Sequence, residues 1–187
     1  MKNMIILASA SPRRKKILDE MGLCFKVMIA DVDEVRMDDD PRATVSENAG
    51  LKCDWAAKRN PNSIVIAADT VVVFDGRCLG KPQSMDEATS MLRSFSGKSQ
   101  TVYTGVAFCL HEKGDKDIIL SVEKSVVHFR ELSDKVIEKY LSLVNPLDKA
   151  GGYDIDQHGD LIIAGYEGSW TNIMGLPKDI IAEYLCR

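Results

Sequence analysis

The chain has 187 residues, 45% of them hydrophobic, and a formal net charge of −4. This length and composition predict a single globular domain over residues 1–187 with a buried core. The acidic balance argues against a nucleic-acid partner, and no apolar run is long enough to cross a membrane. The five cysteines are scattered without a CxxC pair, which predicts neither a zinc site nor a disulfide framework and favours a reducing cytoplasm.

The N-terminal stretch MIILASASPRR combines a first strand with the start of a helix. The apolar run suits a buried strand, Pro12 suits the first helical position, and Ser11 is the candidate N-cap. Arg13 and Arg14 then fall in the first turn, where the helix dipole favours anions over cations. A bound anion would offset this mismatch, so the stretch, with the hydroxyls of Ser9 and Ser11, predicts a phosphate site. A basic surface cluster on an ordinary helix is the alternative.

The elements after this helix alternate between strand and helix patterns, which predicts a mixed α/β fold. The first half predicts a short strand over 25–30, a loop over 31–41 and a helix from a cap at Thr44 or Ser46 to about 58. A strand over 63–74, broken at 67–70, then leads through a hairpin turn at 75–76 to a return strand over 77–79. The second half predicts a helix from a cap at Ser84 to about 96, long strands over 100–110 and 118–130, and a helix from a cap at Ser133 to about 144. A glycine-spaced β region over 151–168 and a helix from 174 or 175 to 185 complete the series.

One carboxylate, Asp69, lies inside the apolar run from residue 64 to 74. A buried charge is costly unless it is paired or bound to metal. Asp69 is therefore either a structural carboxylate that satisfies nearby N–H groups or a functional one. Thr70 follows directly, and the hairpin turn returns the chain so that Lys81 is expected near the same place. These neighbours favour a functional carboxylate.

Other polar residues carry weaker signals. Glu34 lies in an acidic loop and Lys52 lies in mid-helix, and both have a solvated surface position as the default interpretation. The stretch DKAGGY, with two adjacent glycines, suits a backbone that approaches a ligand closely. Because no His/Cys cluster occurs, the carboxylates and the phosphate site favour Mg²⁺ or Mn²⁺ over a transition-metal centre.

The ordered motifs SASPRR, AADTVV, LGKP, TGV, DKAGGY and GS..N..GLP resemble those of the Maf family of nucleotide pyrophosphatases. The resemblance covers nearly the whole chain. It implies an elongated α/β fold around a mixed sheet, of the architecture shared with inosine triphosphatase and Ham1 proteins. It also implies hydrolysis of nucleoside triphosphates to monophosphate and pyrophosphate with a divalent metal.

The resemblance also assigns roles to individual residues. Asp69 matches the proton acceptor and, with Glu34, is the expected metal ligand. The phosphate-side loop is matched by Ser9, Ser11, Arg13 and Arg14. The polar residues around the cleft are matched by Glu34, Lys52 and Lys81. The leaving pyrophosphate is expected to be held by Arg13, Arg14 and Lys81.

Within the family, DKAGAY-type sequences resemble the branch that acts on dTTP and UTP. That branch selects its base with an Arg, a Thr and a Gln, which Arg13, Thr70 and Gln157 match. The last match is shifted, because Asp156 directly follows Ile155 where the branch usually has Gln. In a strand, a one-residue shift turns a side chain to the opposite face, so both Asp156 and Gln157 remain candidates for the base contact.

Three alternatives stay open at this stage. The first is an enzyme of the same chemistry that acts on purine or modified-purine nucleotides. The second is a nucleotide-binding regulator of cell division with little turnover. The third concerns assembly, since a homodimer is as compatible with the sequence as a monomer.

Overall fold

The computed structural model describes residues 4–37, 39–112 and 115–185; Cys186 lies outside them. These residues form a mixed α/β fold, as the sequence predicts. The strands are β1 Met4–Leu7, β2 Phe25–Val27, β3 Ser63–Phe74, β4 Arg77–Leu79, β5 Ser99–Glu112, β6 Asp115–Phe129 and β7 Ile163–Glu167. The helices are α1 Pro12–Glu20, α2 Pro41–Arg59, α3 Met85–Phe95, α4 Asp134–Leu143, α5 Trp170–Ile173 and α6 Lys178–Leu185.

The strands form one mixed sheet in the order β2-β1-β3-β5-β6-β7, with β4 paired to β3 off this path. β1 runs parallel to both β2 and β3, whereas β3–β4 and β6–β7 are antiparallel. The β3–β4 hairpin turns at Asp75 and Gly76, whose φ angles of 47° and 74° are those of a type I′ turn. The predicted mixed sheet and its hairpin are therefore confirmed. None of the helices in the described part of the chain is long and apolar enough to cross a membrane.

The predicted start of α2 is wrong. The helix begins at Pro41, and its N-cap is Asp40, whose side chain accepts a hydrogen bond from Ala43 N at 2.9 Å. Pro41 at the first helical position favours this earlier start. Thr44 lies inside the helix and its hydroxyl contacts the preceding loop instead, through Met37 N at 3.0 Å.

The predicted break in β3 is also wrong. The strand runs without interruption from Ser63 to Phe74, and residues 65–69 are all buried. The small alanines leave room for a helix packed over the strand, and the carboxylate of Asp69 finds partners on that helix. Its charge therefore does not force the strand open.

Two regions near the C-terminus differ from prediction as well. The predicted β region over 151–168 contains one strand, β7, and it is preceded by 3₁₀ turns at Ala150–Gly152 and Gly159–Leu161. Positive φ angles at Gly151, Gly152 and His158 prevent a strand there. The last helix, predicted from 174 or 175, begins only at Lys178, and the separate short helix α5 precedes it; Gly175 between them has a φ of 100°, which is not helical.

The contacts group the described residues into two compact units. One unit lies within residues 1–70, 103–123 and 171–187, and the other within 71–102 and 124–170. The core of the first unit includes small residues of α2 packed on β1, β3 and β5: Ala49, Cys53, Ala56 and Ala57 against Ile6, Ala8, Val65, Ala67, Ala107 and Cys109. The second unit contains four neighbouring rings with centroids 4.9–5.3 Å apart: Phe74, Phe95, Phe129 and Tyr153.

Helix α2 lies very close to the sheet at Gly105 of β5. A Cβ at this position would overlap the carbonyl oxygen of Val45 and lie 2.5 Å from its carbonyl carbon. Both groups belong to the backbone, so neither can rotate away as a flexible side chain could. Gly105 is therefore the residue that allows α2 to reach the sheet beside Asp69.

Candidate active site

The carboxylate of Asp69 is buried on β3 and held by two residues of α2. Its Oδ1 accepts a hydrogen bond from Lys52 Nζ at 2.8 Å, and its Oδ2 accepts one from Asn48 Nδ2 at 3.0 Å. One donor on each oxygen fixes the rotation of the carboxylate plane. Each oxygen keeps a further lone pair for another donor.

Helix α2 presents a stripe of buried polar residues toward this carboxylate. Thr44, Asn48 and Lys52 recur every four residues, which places them on one face of the helix. Thr44 and Asn48 also hold the loop before the helix. Asn48 Oδ1 accepts from Val35 N at 2.8 Å, and Asn48 Nδ2 donates to Val35 O at 3.0 Å. The loop that carries Glu34 is thereby fixed to the same helix face as Lys52.

The ammonium of Lys52 joins two carboxylates. Its Nζ lies 2.8 Å from Asp69 Oδ1 and 2.7 Å from Glu34 Oε1. The Lys52 and Asp69 side chains are 11% and 12% exposed, whereas that of Glu34 is 55% exposed. The cluster therefore reaches from a buried carboxylate to solvent through one cation. Among the described residues, no group of three or more His, Cys, Asp or Glu side chains is arranged to hold a metal ion.

Arg14, in the first turn of α1, binds the protein through three of its nitrogens. Its Nε donates to Gly175 O at 2.8 Å, and its Nη1 donates to Ser9 Oγ at 3.0 Å and Ala68 O at 2.8 Å. Its Nη2 donates to Thr70 Oγ1 at 3.0 Å. Burial lowers the pKa of Arg14 to about 10, an effect that the charge of Asp69 opposes. The guanidinium thus remains positively charged at neutral pH.

The hydroxyl of Thr70 lies in a hydrogen-bond chain with a fixed direction. Thr104 Oγ1 donates to Asn172 O at 3.0 Å, so it must accept from Thr70 Oγ1, which lies 2.9 Å away. Thr70 in turn accepts from Arg14. Its one proton is therefore committed to Thr104, and toward a ligand Thr70 can act only as an acceptor.

The remaining N-terminal residues lie around this arginine. Ser9 Oγ accepts from Arg14 and from Ser11 N at 3.2 Å. Ser11 precedes α1, as predicted, but its side chain forms no capping hydrogen bond. Arg13 lies in the first helical turn and is partly exposed. The first unit thus brings together most of the predicted site: Ser9, Ser11, Arg13, Arg14, Glu34, Lys52, Asp69 and Thr70.

The other predicted residues belong to the second unit, where Lys81, Asp156 and Gln157 are all exposed. The loop before Asp156 is held by Tyr140, whose hydroxyl donates to Asp154 O at 3.0 Å and accepts from Asp154 N at 2.7 Å. Asp154 Oδ1 then accepts from Asp156 N at 2.9 Å. Since this loop is not a strand, the alternation rule does not choose between Asp156 and Gln157, and both side chains face solvent.

Comparison with known proteins gives the family. The model of the family described as Maf-like protein matches residues 4–187. The chain belongs to the Maf family. A relative from Thermotoga maritima is 43% identical over 97% of this chain and 87% of its own length, and one from Pelotomaculum thermopropionicum is 41% identical over 97% and 94%. Both are named dTTP/UTP pyrophosphatase. Among solved structures, the Ham1 protein of Staphylococcus aureus matches with a TM-score of 0.48 and 16% identity, covering 98% of each chain.

Sequence reasoning missed two residues in this Maf protein. Asn48 orients Asp69 and holds the Glu34 loop, and Thr104 sets the direction of the Thr70 hydroxyl. Asn48 could have been found from its spacing, because it lies four residues before Lys52 on one helix face. Thr104 belongs to the TGV motif, but its role could not be predicted from it, since its partners are 34 and 68 residues away along the chain.

Proposed function

We propose that this protein is a nucleoside triphosphate pyrophosphatase that hydrolyses dTTP and UTP to the monophosphate and pyrophosphate. The observation that carries the proposal is the buried carboxylate of Asp69, oriented by Lys52 and Asn48 within a Maf-family chain. The names of the relatives supply the substrate class. A protein that only binds nucleotides has little use for an oriented carboxylate beside phosphates, which it would repel.

In this proposal Asp69 accepts a proton from the attacking water. Its two oxygens already accept one hydrogen bond each from Lys52 and Asn48, and the remaining lone pairs are available to the water. Lys52 and Asn48 thereby hold the acceptor in one orientation before the substrate arrives. This orientation is what makes a general base effective.

The proposal includes a divalent cation, Mg²⁺ or Mn²⁺, held by Asp69 and Glu34. Mg²⁺ is commonly bound through one or two carboxylates together with substrate phosphates. Asp69 and Glu34 fit this donor set, because their oxygens already approach one shared cation, the Lys52 ammonium. When bound, the metal would neutralise phosphate charge and polarise the attacked phosphorus.

The phosphates are proposed to bind at the start of α1. Arg13 is the direct partner of the leaving pyrophosphate, because its side chain is partly exposed at a helix N-terminus. Arg14 contributes its charge and holds Ser9 and Thr70 in place, since four of its five N–H groups bind the protein. Ser9 and Ser11 supply further polar contacts, and Lys81 is proposed as a second cation for the pyrophosphate.

Base selection is proposed to depend on Thr70, with Arg13 and one residue of the 156–157 pair. Because Thr70 can only accept, it suits the ring N–H of uracil or thymine and offers no donor to the unprotonated ring nitrogen of cytosine. A site that leaves its own polar groups unpaired rejects the wrong base strongly. This argument favours dTTP and UTP over CTP.

The 156–157 pair is tested by comparing kcat/KM for dTTP, UTP, CTP and GTP in two alanine variants. We expect Gln157→Ala to lower the kcat/KM for dTTP and UTP relative to that for CTP and GTP. Asp156→Ala should leave this ratio unchanged. The reverse result would assign base recognition to Asp156. A wild-type preference for GTP or a modified purine would reject the pyrimidine assignment itself.

The catalytic proposal is tested with Asp69→Asn. Loss of a general base lowers kcat by ~10²–10⁴-fold, measured as pyrophosphate release from dTTP in Mg²⁺ and in Mn²⁺. Asp75→Asn is the matched control, because Asp75 is exposed in the turn that follows the same strand and asparagine tolerates its positive φ. Thermal melting of both variants checks folding. Wild-type turnover in the folded Asp69→Asn variant would rule out the assignment, and full activity after chelation would rule out the metal.

The proposal places the protein in the cytoplasm with a nucleoside triphosphate as its partner. The substrate class supports this location, and so does the exposed thiol of Cys24, which a reducing compartment preserves.

A further inference from the structure

The inference concerns the position of the Lys52 ammonium. This group lies 2.8 Å from Asp69 Oδ1 and 2.7 Å from Glu34 Oε1, so it occupies the point where the two carboxylates converge. A lysine that served only to neutralise Asp69 would need one carboxylate. The second carboxylate, Glu34, lies on a loop that Asn48 holds in place. The two carboxylates therefore form a preorganised binding position for a cation.

We propose that Lys52 competes with the divalent metal for Asp69 and Glu34, so that metal binds this pair only when the ammonium leaves it. The identity of the metal rests on the proposed function, whereas the competition rests on the geometry alone. Two carboxylates and one ammonium carry a net charge of −1, which attracts a divalent ion only weakly. A divalent metal on the same oxygens would also lie beside the Lys52 ammonium. The repulsion between them would be twice that between two unit charges at the same distance.

The triphosphate provides a reason for the ammonium to leave. Lysine carries its charge on a flexible four-carbon stem, and the exposed Glu34 carboxylate leaves one side of the cluster open to solvent. Phosphate oxygens that arrive with the nucleotide offer Lys52 a new acceptor. Metal loading is thus coupled to nucleotide arrival, and the empty enzyme keeps its carboxylates partly neutralised by its own side chain. Once Lys52 has left, Asn48 and the metal would keep Asp69 oriented.

The test measures Mn²⁺ binding to the purified protein without nucleotide, from the electron paramagnetic resonance signal of free Mn²⁺. Lys52→Met removes the charge and keeps much of the side-chain length, and we expect it to bind Mn²⁺ at least about tenfold more tightly than wild type. Lys52→Arg keeps the charge and should remain close to wild type. Lys58→Met is the matched control, because it removes a lysine from the exposed face of the same helix. Screening by solvent should limit its effect to about twofold or less.

Loss of Lys52 also leaves Asp69 buried without its cation, which destabilises proteins substantially. Lys52→Gln, which keeps a donor toward Asp69, is therefore measured in parallel. If both variants are only partly folded without metal, Mn²⁺ should raise their melting temperature by more than it raises that of Lys58→Met, and this larger rise supports competition. Unchanged or weaker Mn²⁺ binding in the folded variants, or no such rise, overturns it.

A second arm adds α,β-methylene-dUTP, which lacks the cleavable α–β anhydride bond. We expect this analogue to strengthen Mn²⁺ binding more in wild type than in Lys52→Met, because the variant has no ammonium to displace. An equal increase in both proteins overturns the coupling. A failure of the proposed function is measured separately, as the absence of pyrophosphate release from dTTP or UTP. It does not depend on either Mn²⁺-binding result.

Discussion

Gly105→Ala tests whether the distance between α2 and the sheet controls the site. The new methyl group would overlap the Val45 carbonyl oxygen and lie 2.9 Å from Ser46 N. Real Cβ atoms essentially never lie closer than 3.0 Å to such atoms. To restore ordinary contact, α2 must retreat by roughly 1 Å. Asn48 and Lys52 lie on the same helix, so both would move away from Asp69.

The expected effect has two parts. Overpacking of this kind costs about 1–3 kcal/mol of unfolding free energy, and each kcal/mol lowers the melting temperature by about 2–4 °C in a protein of this size. The movement of the groups that orient Asp69 should also reduce kcat, because a displacement of ~1 Å can cost ~10²-fold. The loss of activity should therefore exceed what the unfolded fraction explains.

The assay combines thermal melting with steady-state hydrolysis of dTTP. Gly165→Ala is the control within the sheet, since a Cβ there meets no atom within 4 Å and alanine in a strand should leave stability unchanged or slightly higher. Gly50→Ala is a control of opposite sign, because it lies on α2 in ordinary contact distance of Leu120 and should gain about 0.5–1 kcal/mol of helix stability. Wild-type melting and wild-type kcat in Gly105→Ala would refute the role given to this contact.

Two further predictions concern stability. Gln100 is 1% exposed, and neither end of its amide has a hydrogen-bond partner among the described residues. Gln100→Met should therefore raise the free energy of unfolding by about 1 kcal/mol or more. The control is Gln83→Met at an exposed position, and a lower urea midpoint in Gln100→Met would contradict the argument. Asp40→Ala should remove the N-cap of α2 and lower the free energy of unfolding by about 1 kcal/mol. Asp39→Ala, at the exposed neighbouring position, should leave it unchanged. Equal melting temperatures in the two variants would place the cap elsewhere.

The sequence determined the elements whose signals lie within a few neighbouring residues. Pro12 marks the start of α1, and Asp75-Gly76 specifies the hairpin because its residues tolerate positive φ. Ser84 caps α3 through Glu87 N at 3.1 Å, three residues away. The motif order was also sufficient to predict the family, which the comparison confirms over residues 4–187.

Where two local signals compete, only tertiary contacts decide. Asp40 and Thr44 are both acceptable caps for α2, and the helix takes the earlier one while Thr44 holds the preceding loop. The four residues 67–70, two alanines followed by Asp69 and Thr70, predict a strand break because they interrupt the strongly β-forming ends of the run. β3 remains continuous because α2 supplies Lys52 and Asn48, which no window around Asp69 contains.

The same distinction applies to the site. The sequence alone identified Asp69 as a carboxylate that needed a partner, since a charge in an apolar run is costly wherever the chain places it. The partners that it received, Lys52 and Asn48, come from α2, which packs closely on the sheet at Gly105. The contact from Arg14 to Gly175 joins residues 161 positions apart. Hydrogen-bond partners at such separations depend on the folded chain, because local sequence fixes only which groups need satisfying and tertiary structure brings the partners to them.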